Sequence, residues 1–282
     1  MTGPRAARAL PPPSVLDAFA VGGTVVPLPG GRGLSVRVGN VVLKPVDGTE
    51  EEAEWAASVY ERLLAGAGGF RVPRPLRAAD GRSVVDGWTG CELLSGRPGP
   101  AGHWHEVLAA GRAFHAALSD VPCPAFLSRR THPWAVADRV AWGEEETDVP
   151  AQLADPYAAL LALRRPVRLP VQLVHGDLTG NVLLAAGEPP GVIDFSPYWR
   201  PPVYAEAVVV ADGLLWFDAP RTLLARPGEC PDWTQLLVRA LLFRLVAAGR
   251  LAGPTARVTE EEAARYTRTI ETVRRGPSAG RR

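Results

Sequence analysis

HGDLTGNVLL, residues 175–184, and GVIDFSPYW, residues 191–199, are the stretches that decide how this chain is read. Asn181 opens one apolar run (Asn-Val-Leu-Leu), the turn-rich AAGEPP follows, and a second run (Gly-Val-Ile-Asp) closes at Asp194. That pattern predicts a hairpin pairing Leu184 with Gly191 and Asn181 with Asp194. Directly opposed residues in an antiparallel ladder lie about 4.5–5.5 Å apart at Cα, so a carboxamide oxygen and a carboxylate there can share one cation. A hard cation with oxygen ligands, magnesium first, fits such a pair. His175, Gly176 and Asp177 follow the strand-like VQLV directly before the hairpin. Asp177 is thus a third oxygen-bearing group at the same mouth and the natural base or hydroxyl-orienting residue.

A distant feature agrees. Among 31 Lys and Arg residues, Lys44 is the one lysine. An ammonium is a compact charge on a flexible stem, whereas a guanidinium is a planar fork, and a tight phosphate site distinguishes them. Lys44 ends VVLK, and LSVRV and VVLKPV flank Gly39-Asn40, a two-residue hairpin signal that sets Ser35 opposite Lys44. Upstream, LPGGRGLS carries Gly30, Gly31 and Gly33. Clusters of this kind are usually turns, but beside the strand with the sole lysine they let backbone N–H groups approach phosphate oxygens closely.

Taken in order, these motifs resemble an aminoglycoside-phosphotransferase-like member of the protein-kinase-like superfamily, over most of the chain length. VVLK resembles the V-A-I-K strand, HGDLTGN the H-R-D-x-x-x-x-N loop, and Ile193-Asp194-Phe195 stands in the D-F-G place. HGD in place of HRD points to the small-molecule kinases. The resemblance implies an α+β, two-lobed fold: a small antiparallel sheet plus helix over 1–94, and a larger, mostly helical catalytic lobe over 95–282. It implies ATP, with GTP left open, and Mg2+. Lys44 would hold the α- and β-phosphates, and Gly30, Gly31, Gly33, Ser35 and Val42 would line the nucleotide. Glu92 and Leu93 would meet the adenine through their main chain at the hinge, and Asp177, braced by His175, would orient the acceptor hydroxyl. Asn181 and Asp194 would bind the metal. A carboxylate on the helix EEAEWAASVYERLLAG, residues 51–66, would fix the lysine; Glu54 is the choice, with Glu51 and Glu61 as rivals. Two departures stand out. Only Leu178, Thr179 and Gly180 separate Asp177 from Asn181, where the family loop has four residues, and RPPVYAEAV replaces the family's acidic stretch after the D-F-G place.

Length and a 46% hydrophobic content allow two lobes with sizeable cores. A formal charge of +1 makes no case for nucleic-acid binding. Cys91, Cys123 and Cys230 lack metal-type spacing and are odd in number, which suits a reducing cytoplasm rather than a disulfide framework. The N-terminus breaks on three prolines before any signal-like core, and Glu206, Asp212, Arg239 and Arg244 interrupt the longest apolar runs, so no membrane span is expected. Apolar periodicity predicts helices near 103–119, 132–142, 151–165, 203–217, 232–249 and 259–274. His115 reads as a core histidine, and Glu144-Glu145-Glu146 as a solvated loop able to attract a cationic ligand. The expected activity is phosphoryl transfer from ATP to a hydroxyl of a small molecule. A nucleotide-binding pseudokinase with a regulatory role is the alternative. A metal hydrolase built on His175, Asp177 and Asp194 would leave Lys44 and the glycine-rich turn without a role. Nothing in the sequence speaks to oligomeric state.

Overall fold

The computed structural model describes residues 10–29, 33–66, 68–100, 102–225, 228, 230–252 and 257–276. In chain order its main elements are α1 (Pro13–Ala18), β1 (Val25–Pro27), β2 (Val36–Val38), β3 (Val41–Pro45), α2 (Glu50–Gly66), β4 (Val84–Val85), β5 (Trp88–Glu92), β6 (Arg97–Pro98), α3 (Trp104–Ala117), α4 (Pro133–Trp142), α5 (Ala154–Leu163), β7 (Gln172–His175), β8 (Val182–Leu184), β9 (Gly191–Val192), β10 (Pro197–Arg200), α6 (Pro202–Trp216), α7 (Trp233–Leu251) and α8 (Glu260–Arg275). The mixed α+β class and the small antiparallel sheet are as expected. Two compact units result: Met1–Pro98 with Asn181–Phe195, and Gly99–Gly180 with Ser196–Arg282. The division differs from the 94/95 boundary because the 181–195 hairpin packs with the first unit.

In the first unit the Gly39-Asn40 turn, with Gly39 at φ 60, joins β2 to β3. The register is Val36↔Leu43 and Val38↔Val41, which continues to Ser35 opposite Lys44 as the turn signal predicts. Alternation then buries Val36, Val38, Val41 and Leu43 on one face, against Val15 and Phe19 around α1 and against Val85 and Trp88. Helix α1 is started by Pro13 at its first position, whose fixed φ suits a helix start. Val42 and Lys44 belong to the opposite face, with Cys91 and Thr89 as their partners on β5. β5 is an interior strand of the sheet. Asp86 and Gly87, at φ 47 and 73, turn the chain back so that short β4 takes the edge.

Arg71 explains why the late hairpin joins this unit. Its main chain bridges β9, donating to the Pro190 carbonyl and accepting from Val192 N–H, each at 2.8 Å. Its guanidinium donates to the Pro189 carbonyl at 2.8 Å and to Ser95 Oγ at 2.9 Å, and it pairs with Glu188. On the other side β8 pairs with β6.

In the second unit α7 is the centre. Leu236, Leu241, Leu242 and Leu245 are wholly buried, and α4, α5, α6 and α8 pack around it. Each predicted helix appears within about three residues of its expected bounds, the largest offset being α5, which starts at Ala154 rather than 151. β7 pairs with β10 in the register His175↔Pro197 and delivers the HGD residues at its end. His115 on α3 is buried, and its Nε2 accepts from the His175 N–H at 3.0 Å. His175 Nδ1 in turn accepts from the Asp177 N–H at 3.1 Å. Two imidazole acceptors therefore brace the loop backbone.

Burial pushes His115 down from its ordinary 6.5 to about 3, and His175 adds to the shift. The unfolded chain takes up that proton below about pH 6.5 while the folded protein stays neutral until near pH 3, so this group makes stability fall as pH drops through the window. Gln can accept the same bond without titrating. Urea melts at about pH 7 and about pH 4.5 are expected to show a smaller acid-induced drop in midpoint for His115→Gln than for the parent. Equal drops would mean that His115 is not held neutral.

Candidate active site

The first unit holds the residues expected on the nucleotide side. Lys44 Nζ forms an ion pair with Asp194 Oδ1, across 150 residues of chain. Both side chains are substantially exposed, at 38% and 48%. A pair this wet contributes about 0–1 kcal/mol to stability, so its interest lies in the charges it concentrates at one spot.

Asp194 reaches that spot by a route the sequence did not indicate. The ladder runs Val182↔Val192 and Leu183↔Gly191, one residue out of step with the expected Leu184–Gly191 pairing. Pro189 and Pro190 have no N–H to give the ladder, and the Pro190 carbonyl is taken by Arg71, so pairing starts at Gly191. Ile193, not Asp194, therefore faces Asn181, its N–H donating to the Asn181 carbonyl at 3.0 Å. Asp194 stands beyond the ladder at φ 52, a conformation costly for a residue with a side chain and typical of functional turns. The next residue fixes the bend: Phe195 N–H donates to Tyr60 Oη at 2.9 Å, and the Phe195 ring lies between Trp55 and Tyr60 of α2, with centroids 6.0 and 6.3 Å away.

Helix α2 thus supports the site through aromatic rings and a phenol. Glu54, expected beside Lys44, instead accepts from the Ser83 and Val84 N–H groups at 2.7 and 3.0 Å and from Ser83 Oγ, and pairs with Arg77. Glu61 is also held by Arg77. Three donated hydrogen bonds serve Glu54 locally, and they are what drew it away from the lysine. The hinge expectation needs a similar correction. Glu92 N–H donates to the Arg74 carbonyl at 2.9 Å and Leu93 N–H to the Asn40 carbonyl at 2.7 Å, so these two donors are already committed. Ser35 and Val42 are half-buried, and the Ser35 carbonyl accepts from Leu28 N–H. Gly33, at φ 70, uses the freedom that glycine supplies; Gly30 and Gly31 lie outside the described residues. Cys91, missed in the sequence, borders the same charged spot: burial pushes its thiol up to about 12, with Lys44 opposing and Asp194 adding to the shift.

Asp194 and Asn181 offer oxygen donors on one hairpin. Among the described residues no three His, Cys, Asp or Glu side chains converge on a point. A magnesium ion suits this sparse set, since it keeps several waters and commonly takes only one or two protein ligands plus substrate phosphates.

The second unit holds Asp177. Gly176 before it has no room for a side chain, because a Cβ would strike the Tyr198 ring, and its N–H donates to the Ser196 carbonyl at 2.9 Å. Leu178 after it is buried against Gly111 of α3. The Asp177 backbone is therefore held on both sides, while its carboxylate is 42% exposed and Oδ1 accepts from Arg244 at 2.7 Å. Gly180, at φ 83, closes the shortened loop, a left-handed turn that glycine adopts without strain. Two residues of the acidic run are paired, Glu144 with Arg200 and Glu145 with Arg139. Among the described residues no helix is long and apolar enough to cross a membrane.

Comparison with known proteins agrees with this fold. Spectinomycin phosphotransferase APH(9)-Ia, solved with ADP and spectinomycin, is 12% identical, with 92% of this chain and 95% of that chain covered and a TM-score of 0.57. Amicoumacin kinase hAmiN, solved with AMP-PNP, Ca2+ and Ami, is 16% identical, covering 93% of each chain at a TM-score of 0.60. An aminoglycoside phosphotransferase from Alicyclobacillus acidocaldarius is 15% identical, covering 97% of this chain and 96% of that one at a TM-score of 0.56. A search of curated proteins finds no match. The sequence pattern of the phosphotransferase enzyme family, APH, matches residues 29–237, and the chain belongs to that family.

Proposed function

We propose that the protein is a magnesium-dependent small-molecule kinase that moves the γ-phosphoryl group of ATP to a hydroxyl of its acceptor. The observation that carries this reading is the pairing of the sole lysine with Asp194, a cation and a carboxylate gathered on one unit from remote parts of the chain. A bound nucleotide would draw the Lys44 ammonium onto its α- and β-phosphate oxygens. Asp194, freed from the lysine, and Asn181 would be the residues that hold a magnesium ion. Magnesium would supply charge neutralisation on the β- and γ-phosphates. Asp177 would accept the hydrogen bond of the acceptor hydroxyl and align its oxygen for in-line attack, with His175 keeping the loop backbone in place. No covalent enzyme intermediate is required.

A second reading, a nucleotide-binding pseudokinase, draws on one observation: the Glu54 carboxylate is engaged by Arg77, Ser83 and Val84, while Lys44 pairs with Asp194. Transfer assays separate the two. Labelled γ-phosphate from Mg-ATP is expected to appear on a hydroxyl compound within a pooled panel of antibiotics, sugars and amino alcohols. Nucleotide binding without transfer across that panel would favour the pseudokinase.

Asp177→Ala is expected to lower kcat by about 10²- to 10⁴-fold, the range for a positioned acid–base group, with Mg-AMP-PNP affinity little changed. A matching loss of nucleotide affinity would contradict the acceptor-side role. Lys44→Arg keeps the charge but not its shape, and its steady-state kinetics are expected to show impaired nucleotide use. Kinetics equal to the parent's would reduce the lone lysine to compositional accident.

A further inference from the structure

Arg244 sits in the middle of α7 with 4% of its side chain exposed. Stripping water from a guanidinium is strongly unfavourable unless charge partners replace it. Asp212, on α6 and itself 2% exposed, does so through two bonds: Arg244 Nε to Oδ1 and Nη2 to Oδ2, both at 2.7 Å. One carboxylate neutralises one guanidinium, so burial is already compensated by that fork. Yet the same Nη2 donates a further bond, 2.7 Å long, to Asp177 Oδ1. The rings of Trp134, Trp216 and Phe243 lie 5.4, 5.8 and 5.1 Å from its Cζ and hold the cation between aromatic walls. Burial alone would lower the Arg244 pKa, but Asp212 and Asp177 outweigh it and raise the value, so the side chain is a permanent cation.

Exposure rises along this chain of contacts. Arg244 and Asp212 are sealed, whereas Asp177 opens to solvent. A donor fixed by a buried ion pair and by packed rings therefore reaches one oxygen of the solvent-facing carboxylate.

We propose that Arg244 is a positioning residue for Asp177: the Asp212-anchored guanidinium fixes the carboxylate in the orientation that receives the acceptor hydroxyl. This rests on reading Asp177 as the acceptor-orienting group. Lysine cannot copy the arrangement, because one ammonium lacks the planar fork that serves Asp212 twice while reaching Asp177. A displacement of about 1 Å in a reacting group can cost about 10²-fold in rate, which is the size of effect at stake.

Arg244→Met alone would strand a buried Asp212 and threatens folding. The informative variants are Arg244→Met/Asp212→Val, which replaces the ion pair by apolar groups, and Arg244→Lys, which keeps the charge. Both are compared with the full-length parent in thermal melts, Mg-AMP-PNP titration, transfer kinetics with the best acceptor of the panel, and crystal structures. The double variant is expected to bind Mg-AMP-PNP within about twofold of the parent while kcat falls by about 10²-fold, and Arg244→Lys to lose about tenfold. In both, Asp177 is expected to leave its parental rotamer. Either variant with parental kcat, or with Asp177 unmoved, overturns the proposal. If the parent itself transfers nothing, the proposed activity fails, and the Asp177 rotamer in the variants still decides the role of Arg244.

Discussion

One ion pair, between Lys44 and Asp194, joins the small sheet to the late hairpin within the first unit. Lys44 lies on an interior strand of the small sheet and Asp194 at the end of a hairpin that begins 137 residues later, at Asn181. Their meeting depends on Arg71, which ties that hairpin to the first unit through main-chain bonds and a guanidinium shared by Pro189, Ser95 and Glu188. It depends equally on Phe195, whose N–H and ring are held by Tyr60 and Trp55. The strained φ of Asp194 persists because both of its flanks are fixed.

The second unit solves a related problem with different means. Asp177 presents a half-exposed carboxylate on a firmly held backbone. Its backbone is gripped by His175, which is gripped by His115, and one of its oxygens is bound by Arg244. Every one of these supports is buried: His115, His175 and Arg244 all fall in the water-excluded interior. Rigid, desolvated groups reaching toward an exposed one is the general means by which a protein preorganises a reacting site.

Much of this was legible in the sequence, and the rest was hidden for identifiable reasons. Periodicity marked the helices, because each buries a continuous stripe over several turns. The Gly39-Asn40 turn fixed the first register, since a two-residue loop leaves little choice. The second register slipped by one because six residues join those strands and two prolines decide where the ladder can begin. The place of Glu54 is not legible in the sequence, because any glutamate on that helix looks equivalent, whereas the Ser83 and Val84 N–H groups that capture it are set by tertiary packing. Arg244 gave no signal of its role. In the sequence it only interrupts an apolar run, and its significance appears once Asp212 and Asp177 stand on either side.

The most direct test of the account is a double-mutant cycle on Lys44 and Asp194, read as the Kd for Mg-AMP-PNP in the parent, Lys44→Met, Asp194→Asn and the double variant. If both side chains act on one metal–triphosphate group, the losses are coupled, and the double variant departs from the sum of the single effects by about 0.5–3 kcal/mol. Strict additivity, or nucleotide affinity indifferent to either change, would contradict the proposed nucleotide site.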